Sequence, residues 1–142
     1  MAKNQYIEKM GESLGTQFYA LLHEVIWLHT KWAEFLELFG SKPTRIELLN
    51  EAAHAFFGMI QYVLWDETLL HMARLTDQPK SMGRKNLTIK NLPELVNDPA
   101  TKTVLVALVE TAMNKTTFCR DWRNRRIAHN DLDLAMNKSV PR

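Results

Sequence analysis

The chain has one cysteine, Cys119, so an internal disulfide is excluded. The fold must hold by packing alone, as expected of a protein in a reducing cytoplasm, although a periplasmic chain without disulfides fits as well. Long apolar runs are also missing. Val104–Val109 is among the longest, far short of the ~20 residues that span a bilayer. The opening MAKNQYIEKM has no apolar stretch of signal-peptide type, so no secretory leader and no membrane partner are expected. Glycine and proline number five each, too few for a collagen-like or low-complexity chain. Charge of one sign is lacking too. Eighteen Lys and Arg oppose 16 Asp and Glu, a net of +2. Any case for nucleic-acid binding therefore has to rest on local charge.

What is present is helical periodicity over one domain's length, residues 1–142. A chain of this size buries roughly 68–70% of its extended surface. From Tyr6, apolar residues recur at Met10, Leu14, Phe18, Leu21, Val25, Leu28, Trp32, Phe35 and Phe39. Every step is three or four, which is one face of a helix. Gly11 and Gly15 weaken its start, and Gly40-Ser41-Lys42-Pro43 ends it. A second helix is expected from the capping box Thr44-Arg45-Ile46-Glu47. Its stripe runs Ile46, Leu49, Ala53, Phe56, Ile60, Val63 and Leu70, and it stops near Thr76-Asp77. Residues 77–91 read as a long loop, a length often tied to function. Asn91-Leu92-Pro93-Glu94 predicts a cap and a short helix. Asp98-Pro99 then opens a last long helix through Val104, Leu105, Leu108, Ala112, Phe118, Cys119 and Trp122 to about His129. The fold class is all-α: an antiparallel bundle of three long helices plus one short helix.

Charge concentrates near the end of that last helix. Arg120, Arg123, Arg125 and Arg126 stand against Asp121 within ten residues. Arg suits phosphate because its planar fork donates paired hydrogen bonds. With Lys80, Arg84 and Lys85 of the loop, Arg120, Arg125 and Arg126 form the candidate RNA-binding set. Such a run is also compatible with a solvated helix end, where cations suit the dipole. Trp122 offers a ring for stacking on a base, but its place on the apolar stripe points to the core.

Arg123-Asn124, four further residues and then His129 resembles the signature of the HEPN superfamily, near the end of a long bundle helix. Arg-Arg-Ile-Ala-His-Asn-Asp over 125–131 is similar to the abortive-infection, AbiU-like branch. So is Trp65-Asp66-Glu67 through Ala73-Arg74-Leu75-Thr76-Asp77, followed by Lys85-Asn86-Leu87. The resemblance implies a HEPN bundle that is a homodimer and a metal-independent endoribonuclease, without cofactor, in phage defence or a toxin role. An antitoxin or other protein partner is then expected. It also implies roles: His129 as general base, Arg123 holding the phosphate, and Asn124 orienting either. The alternative is a non-catalytic helical module that binds RNA, a nucleotide or a protein.

Two features qualify that site. On an ideal helix six residues turn about 600°, leaving Arg123 and His129 about 120° apart. They share a site only if the helix ends or distorts between them, or if two long side chains converge. Arg125 and Arg126 disfavour a second positive charge and push His129 towards neutrality, while Asp131 and Asp133 pull the other way. Asp66, Glu67 and Arg74 form a candidate supporting polar network, with His71 on the face of Glu67 and Arg74. No metal is expected. Trp27 stands where the motif opened by His23-Glu24 requires His. Glu51-Ala52-Ala53-His54 lacks the second copy that a di-iron bundle needs.

Overall fold

A computed structural model describes residues 3–40, 42–128, 132 and 136. Five helices dominate: α1 Lys3–Met10, α2 Glu12–Phe35, α3 Pro43–Leu75, α4 Pro99–Lys115 and α5 Thr117–Trp122. The all-α expectation holds, with each long helix broken where the local chemistry changes.

The first helix divides at Gly11, whose φ of 81° suits a residue without a Cβ. The break lets α1 fold back along α2. There Tyr6 meets Phe18 and Tyr19, with ring centroids 5.4 and 5.9 Å apart. Gly15 makes that approach possible: a Cβ built on it would lie 2.6 Å from the Tyr6 carbonyl oxygen and 2.7 Å from Ile7 Cα. After Phe35 the chain widens into a π-turn, Leu36–Gly40.

α3 starts two residues earlier than the capping box implies, with Pro43 in its first turn. The fixed φ of Pro suits that position, and the flanking Lys42 makes no side-chain cap, so the Thr44–Glu47 box does not set the start. Arg45 instead reaches back to the Glu37 carboxylate and carbonyl. A kink at Ala53 (φ −166°, ψ 73°) separates an outer arm from the packed half. Between the kink and the packed end the expected stripe is not core: Phe56 and Val63 are 52% and 56% exposed.

The 77–91 stretch has structure that the sequence reading missed. A two-residue hairpin pairs β1 Lys80–Ser81 with β2 Arg84–Lys85. Its turn has φ of 48° at Met82 and 80° at Gly83, positive at both central residues, as the tightest hairpins require. Thr88, not Asn91, caps the short 3-10 helix Ile89–Leu95. Asp98 caps α4 as expected, its carboxylate accepting from the Thr101 amide at 2.8 Å. That helix then breaks at Thr116. The Thr116 hydroxyl bonds back to the Ala112 carbonyl at 2.8 Å, and Thr117 repeats the pattern on Met113. Such back-bonding bends helices.

Two small cores hold these parts together. Leu21, Leu75 and Leu92 join α2, α3 and the 3-10 helix, with Leu105 of α4 against them. Leu69, Ala73 and Cys119 join α3 to α5, flanked by Trp65, Met72 and Trp122. Trp32, Phe35 and Phe39 stack in a ladder that Trp65 closes. α2 and α3 run antiparallel, since Lys31 meets Glu67 while Glu24 meets His71.

Two glycines test this packing. Gly15→Ala is expected to destabilise the fold by about 1–3 kcal/mol, because backbone atoms have to move. Gly58→Ala adds a Cβ that meets nothing within 4 Å and should stabilise by about 0.5–1 kcal/mol through helix propensity. Urea unfolding of both variants checks the pair, and equal effects would contradict the close approach of α1 to α2.

Candidate functional site

The site is built on the crossing of α5 over the end of α3. Ala73 and Cys119 are both fully buried there, and their small side chains let the helices come close. Burial pushes the Cys119 thiol up to about 11, so it is a core residue and no nucleophile. Arg120 is locked across the crossing. It donates to the Thr76 hydroxyl at 3.1 Å, the Met113 carbonyl at 2.9 Å, and the hydroxyls of Thr116 and Thr117 at 3.3 Å. Trp122 donates from Nε1 to Asp66 Oδ1 at 2.9 Å, and the Arg126 guanidinium covers its ring at 4.9 Å. The ring is therefore anchored at its edge and covered on one face.

Beyond Trp122 the helix widens into a second π-turn, Arg123–Ile127, closed by the Ala128 amide on the Arg123 carbonyl at 2.7 Å. Single π-turns inside helices are frequent at functional sites. The turn distorts the helical run directly after Trp122. His129 itself lies outside the described residues, as do Asn130, Asp131 and Asp133. Arg123 donates from Nη1 to Asp77 Oδ2 at 2.9 Å and from Nε to Asn124 Oδ1 at 3.0 Å. Its Nη2 takes part in neither bond, which leaves a charged donor pair for an anion.

The expected polar network is divided between two places. Asp66 is tied to Trp122. Glu67 accepts from Lys31 Nζ at 2.9 Å and from Arg74 Nη2 at 3.3 Å. Burial alone would raise the Glu67 carboxyl, but the Lys31 hydrogen bond and the charges of Lys31 and Arg74 outweigh it and hold it below the usual range. His71 is 1% exposed, with Nε2 2.8 Å from Glu24 Oε2. That is a close polar contact without an aligned hydrogen bond. Burial, reinforced by the Lys31 charge and opposed by Glu24, lowers the His71 pKa and keeps the ring neutral. The sequence reading missed Lys31, Glu24 and the pairing of Asp77 with Arg123. Lys31 and Glu24 sit at helical spacing among Leu21, Leu28 and Phe35, where a charge inside an apolar stripe signals a buried partner.

The candidate RNA-binding cations fall in three settings. Lys80, Arg84 and Lys85 lie exposed on the hairpin. Arg125 stands 3.9 Å from Asp121, and Arg126 covers Trp122. Arg120 is held within the crossing. Among the described residues, no group of three His, Cys, Asp or Glu is arranged to hold a metal ion, and no helix is long and apolar enough to cross a membrane.

The helical bundle and the Arg123-Asn124 turn agree with a comparison against family models, in which one described as AbiU2, of HEPN type, matches residues 11–139. The chain belongs to the AbiU2 HEPN family. The match takes in both helices of the crossing and runs past His129. No curated protein and no solved structure gave a match. Membership supports a HEPN module related to abortive infection and fits the arginine-rich turn at the end of the helical run.

The His71 environment in this HEPN domain makes stability depend on pH. The folded-state value lies below the ordinary 6.5, so the unfolded chain binds the extra proton in the window beneath 6.5. Stability should be full above that value and fall as pH drops through the window. Chemical denaturation along a pH series, with NMR titration of the His71 ring, reads both effects. A ring that titrates above about 6.5 would contradict the burial argument.

Proposed function

We propose that this AbiU2-family domain is a metal-independent endoribonuclease of the cytoplasm, acting in phage defence or as a toxin held by a protein partner. The observation that carries the reading is Arg123. It stands in a π-turn at the end of the motif helix, held on one side by Asp77 and Asn124, with Nη2 outside both bonds. A guanidinium fixed in this way is pre-aimed at a phosphate oxygen. His129 takes the proton from a ribose 2′-hydroxyl, and the freed oxygen attacks the adjacent phosphorus. The bond to the 5′-oxygen breaks and that oxygen receives a proton. The products end in a 2′,3′-cyclic phosphate and a 5′-hydroxyl. Arg123 stabilises the charge that builds on the phosphate oxygens, and Asn124 sets its direction. Arg125, Arg126, Lys80, Arg84 and Lys85 supply charge for the RNA backbone, and Arg120 holds the crossing that presents them.

A second reading has its own support. The Asp77 carboxylate already neutralises Arg123 at 2.9 Å, as it would in a non-catalytic HEPN module that binds RNA, a nucleotide or a protein. The comparison that separates the two is wild type against His129→Ala on mixed RNA in EDTA. Loss of the base should slow cleavage by ~10²–10⁴-fold, and Arg123→Ala should be at least as damaging. A substrate with 2′-deoxyribose at the cut should resist. Equal rates for wild type and His129→Ala would leave the motif as a marker of the fold.

We also propose a homodimer in which the two Arg123–His129 segments line one cleft. Support comes from the middle of α3, where Phe56, Met59 and Val63 are all more than half exposed at helical spacing. Tyr62 and Gln61 of the same stretch line a cleft with Trp122 and Arg126. Sedimentation at tens of micromolar should show a dimer, and Met59→Glu should yield a monomer. A monomeric wild type would overturn this assembly.

A further inference from the structure

Beside the Arg123 pair lies a cleft of about 310 Å³, walled by Glu24, His71, Arg74, Leu75, Asp77, Asn86 and Leu87. That is near the lower end of pockets that take a small ligand, about 300 Å³. Five features of its wall bear on what it accepts. His71 is 1% exposed, with Nε2 2.8 Å from Glu24 Oε2 and Nδ1 without a hydrogen bond among the described residues. A buried polar group in that state is unfavourable and asks for a reason. Glu24, in contact with it, keeps a side chain 46% exposed. Arg74 keeps 52% of its side chain exposed and is held by one long bond to Glu67. Asn86 donates its amide protons to the Gln78 carbonyl at 2.8 Å and the Ser81 hydroxyl at 3.0 Å, so its Oδ1 is left as an acceptor. Leu75 and Leu87 add apolar surface.

We infer that this cleft is a guanine-nucleotide site, in which Glu24 accepts from N1–H and the N2 amine of the base and Arg74 donates to its O6 and N7. Guanine is the base with two parallel donors on one edge and two acceptors beside them. The donor pair matches a carboxylate and the acceptor pair matches a guanidinium fork. The flat faces of the ring suit the leucine walls. A simple ammonium would satisfy Glu24 but leave Arg74 and the leucines without a role. Adenine, cytosine and uracil lack the paired donor edge. His71 is a positioning residue: neutral and buried, with Nε2 2.8 Å from Glu24 Oε2, it holds the carboxylate at the mouth of the cleft. The phosphate attached to such a base has a cation at hand, because Arg123 is bound to the Asp77 wall at 2.9 Å. The base site stands on its own geometry. That the guanine belongs to an RNA strand, and sets which residue lies beside the cut, rests on the ribonuclease reading.

The probes are the 5′-monophosphates of guanosine, inosine, adenosine and uridine, titrated at millimolar concentration into the full chain and followed by NMR. Guanosine monophosphate should bind at least ~10-fold tighter than the adenosine and uridine forms. The inosine form, which lacks the N2 amine, should fall between. Glu24→Gln, a change at a half-exposed side chain, should remove most of the guanine preference, and the His71 ring signals should move with the guanine nucleotide in wild type alone. Equal binding of all four, or none, overturns the site, as does a preference that Glu24→Gln leaves intact. A short RNA with one guanosine, and its inosine counterpart, are titrated in parallel. RNA bound without regard to that guanosine overturns the guanine site and leaves the RNA reading standing. Guanosine monophosphate bound without any RNA affinity keeps the site, as one for a free nucleotide, and overturns the RNA reading.

Discussion

The close contact between Ala73 and Cys119 is the constraint on which the functional end of the molecule depends. Larger residues at either position would hold α5 away from α3, and three further contacts would lose their reach. Arg120 lies on Thr76, Trp122 on Asp66, and Arg123 on Asp77, while Arg126 folds over Trp122. Each uses a long side chain whose ordering entropy is unfavourable alone and is offset because the crossing has already fixed the backbones. The π-turn follows from the same anchoring. Trp122 is held at its indole nitrogen and Arg123 at its guanidinium, so the extra residue of the turn is accommodated just beyond them.

A second layer, between α2 and α3, is polar where a bundle would ordinarily be apolar. Lys31 is 7% exposed, and its charge is matched by Glu67, which Arg74 also touches. Removing Glu67 would leave the Lys31 charge buried without its partner, which is unfavourable, although the intact pair adds little net stability. Its effect here is on register. Lys31 opposite Glu67 and Glu24 opposite His71 specify one antiparallel alignment of two helices whose leucines and aromatics would tolerate several. The alignment sets the neutral imidazole of His71 behind the exposed carboxylate of Glu24, beside the wall that Asp77 shares with Arg123. The polar layer and the motif turn thus meet at Asp77.

Much of this was legible in the residues. Helical period, the Asp98-Pro99 start, the stop near Thr76-Asp77 and the arginine-rich end of the helical run are local properties, and local properties survive into the fold. Less was legible where two local signals compete. Thr44 and Pro43 both offer a helix start, and proline prevails because its backbone is already set. The hairpin at Lys80–Lys85 is too short to show an alternating pattern. The Thr116 break comes from a hydroxyl returning to its own helix, a choice that propensity alone does not reveal. The stripe through Phe56 and Val63 reads as core and is instead exposed, because the buried residues of α3 begin only at Thr68.

The sequence by itself determined the class of the protein: an all-α chain with a HEPN-type Arg-Asn turn at the end of its helical run. Periodicity, caps and a contiguous motif depend only on neighbours along the chain. The tertiary structure alone decided which charges meet. Asp77 and Arg123 are forty-six positions apart, and Lys31 and Glu67 thirty-six. No rule of spacing links such residues, since their distance is set by the way α2, α3 and α5 pack. That packing depends in turn on side-chain volume at Ala73 and Cys119 and on the backbone approach at Gly15.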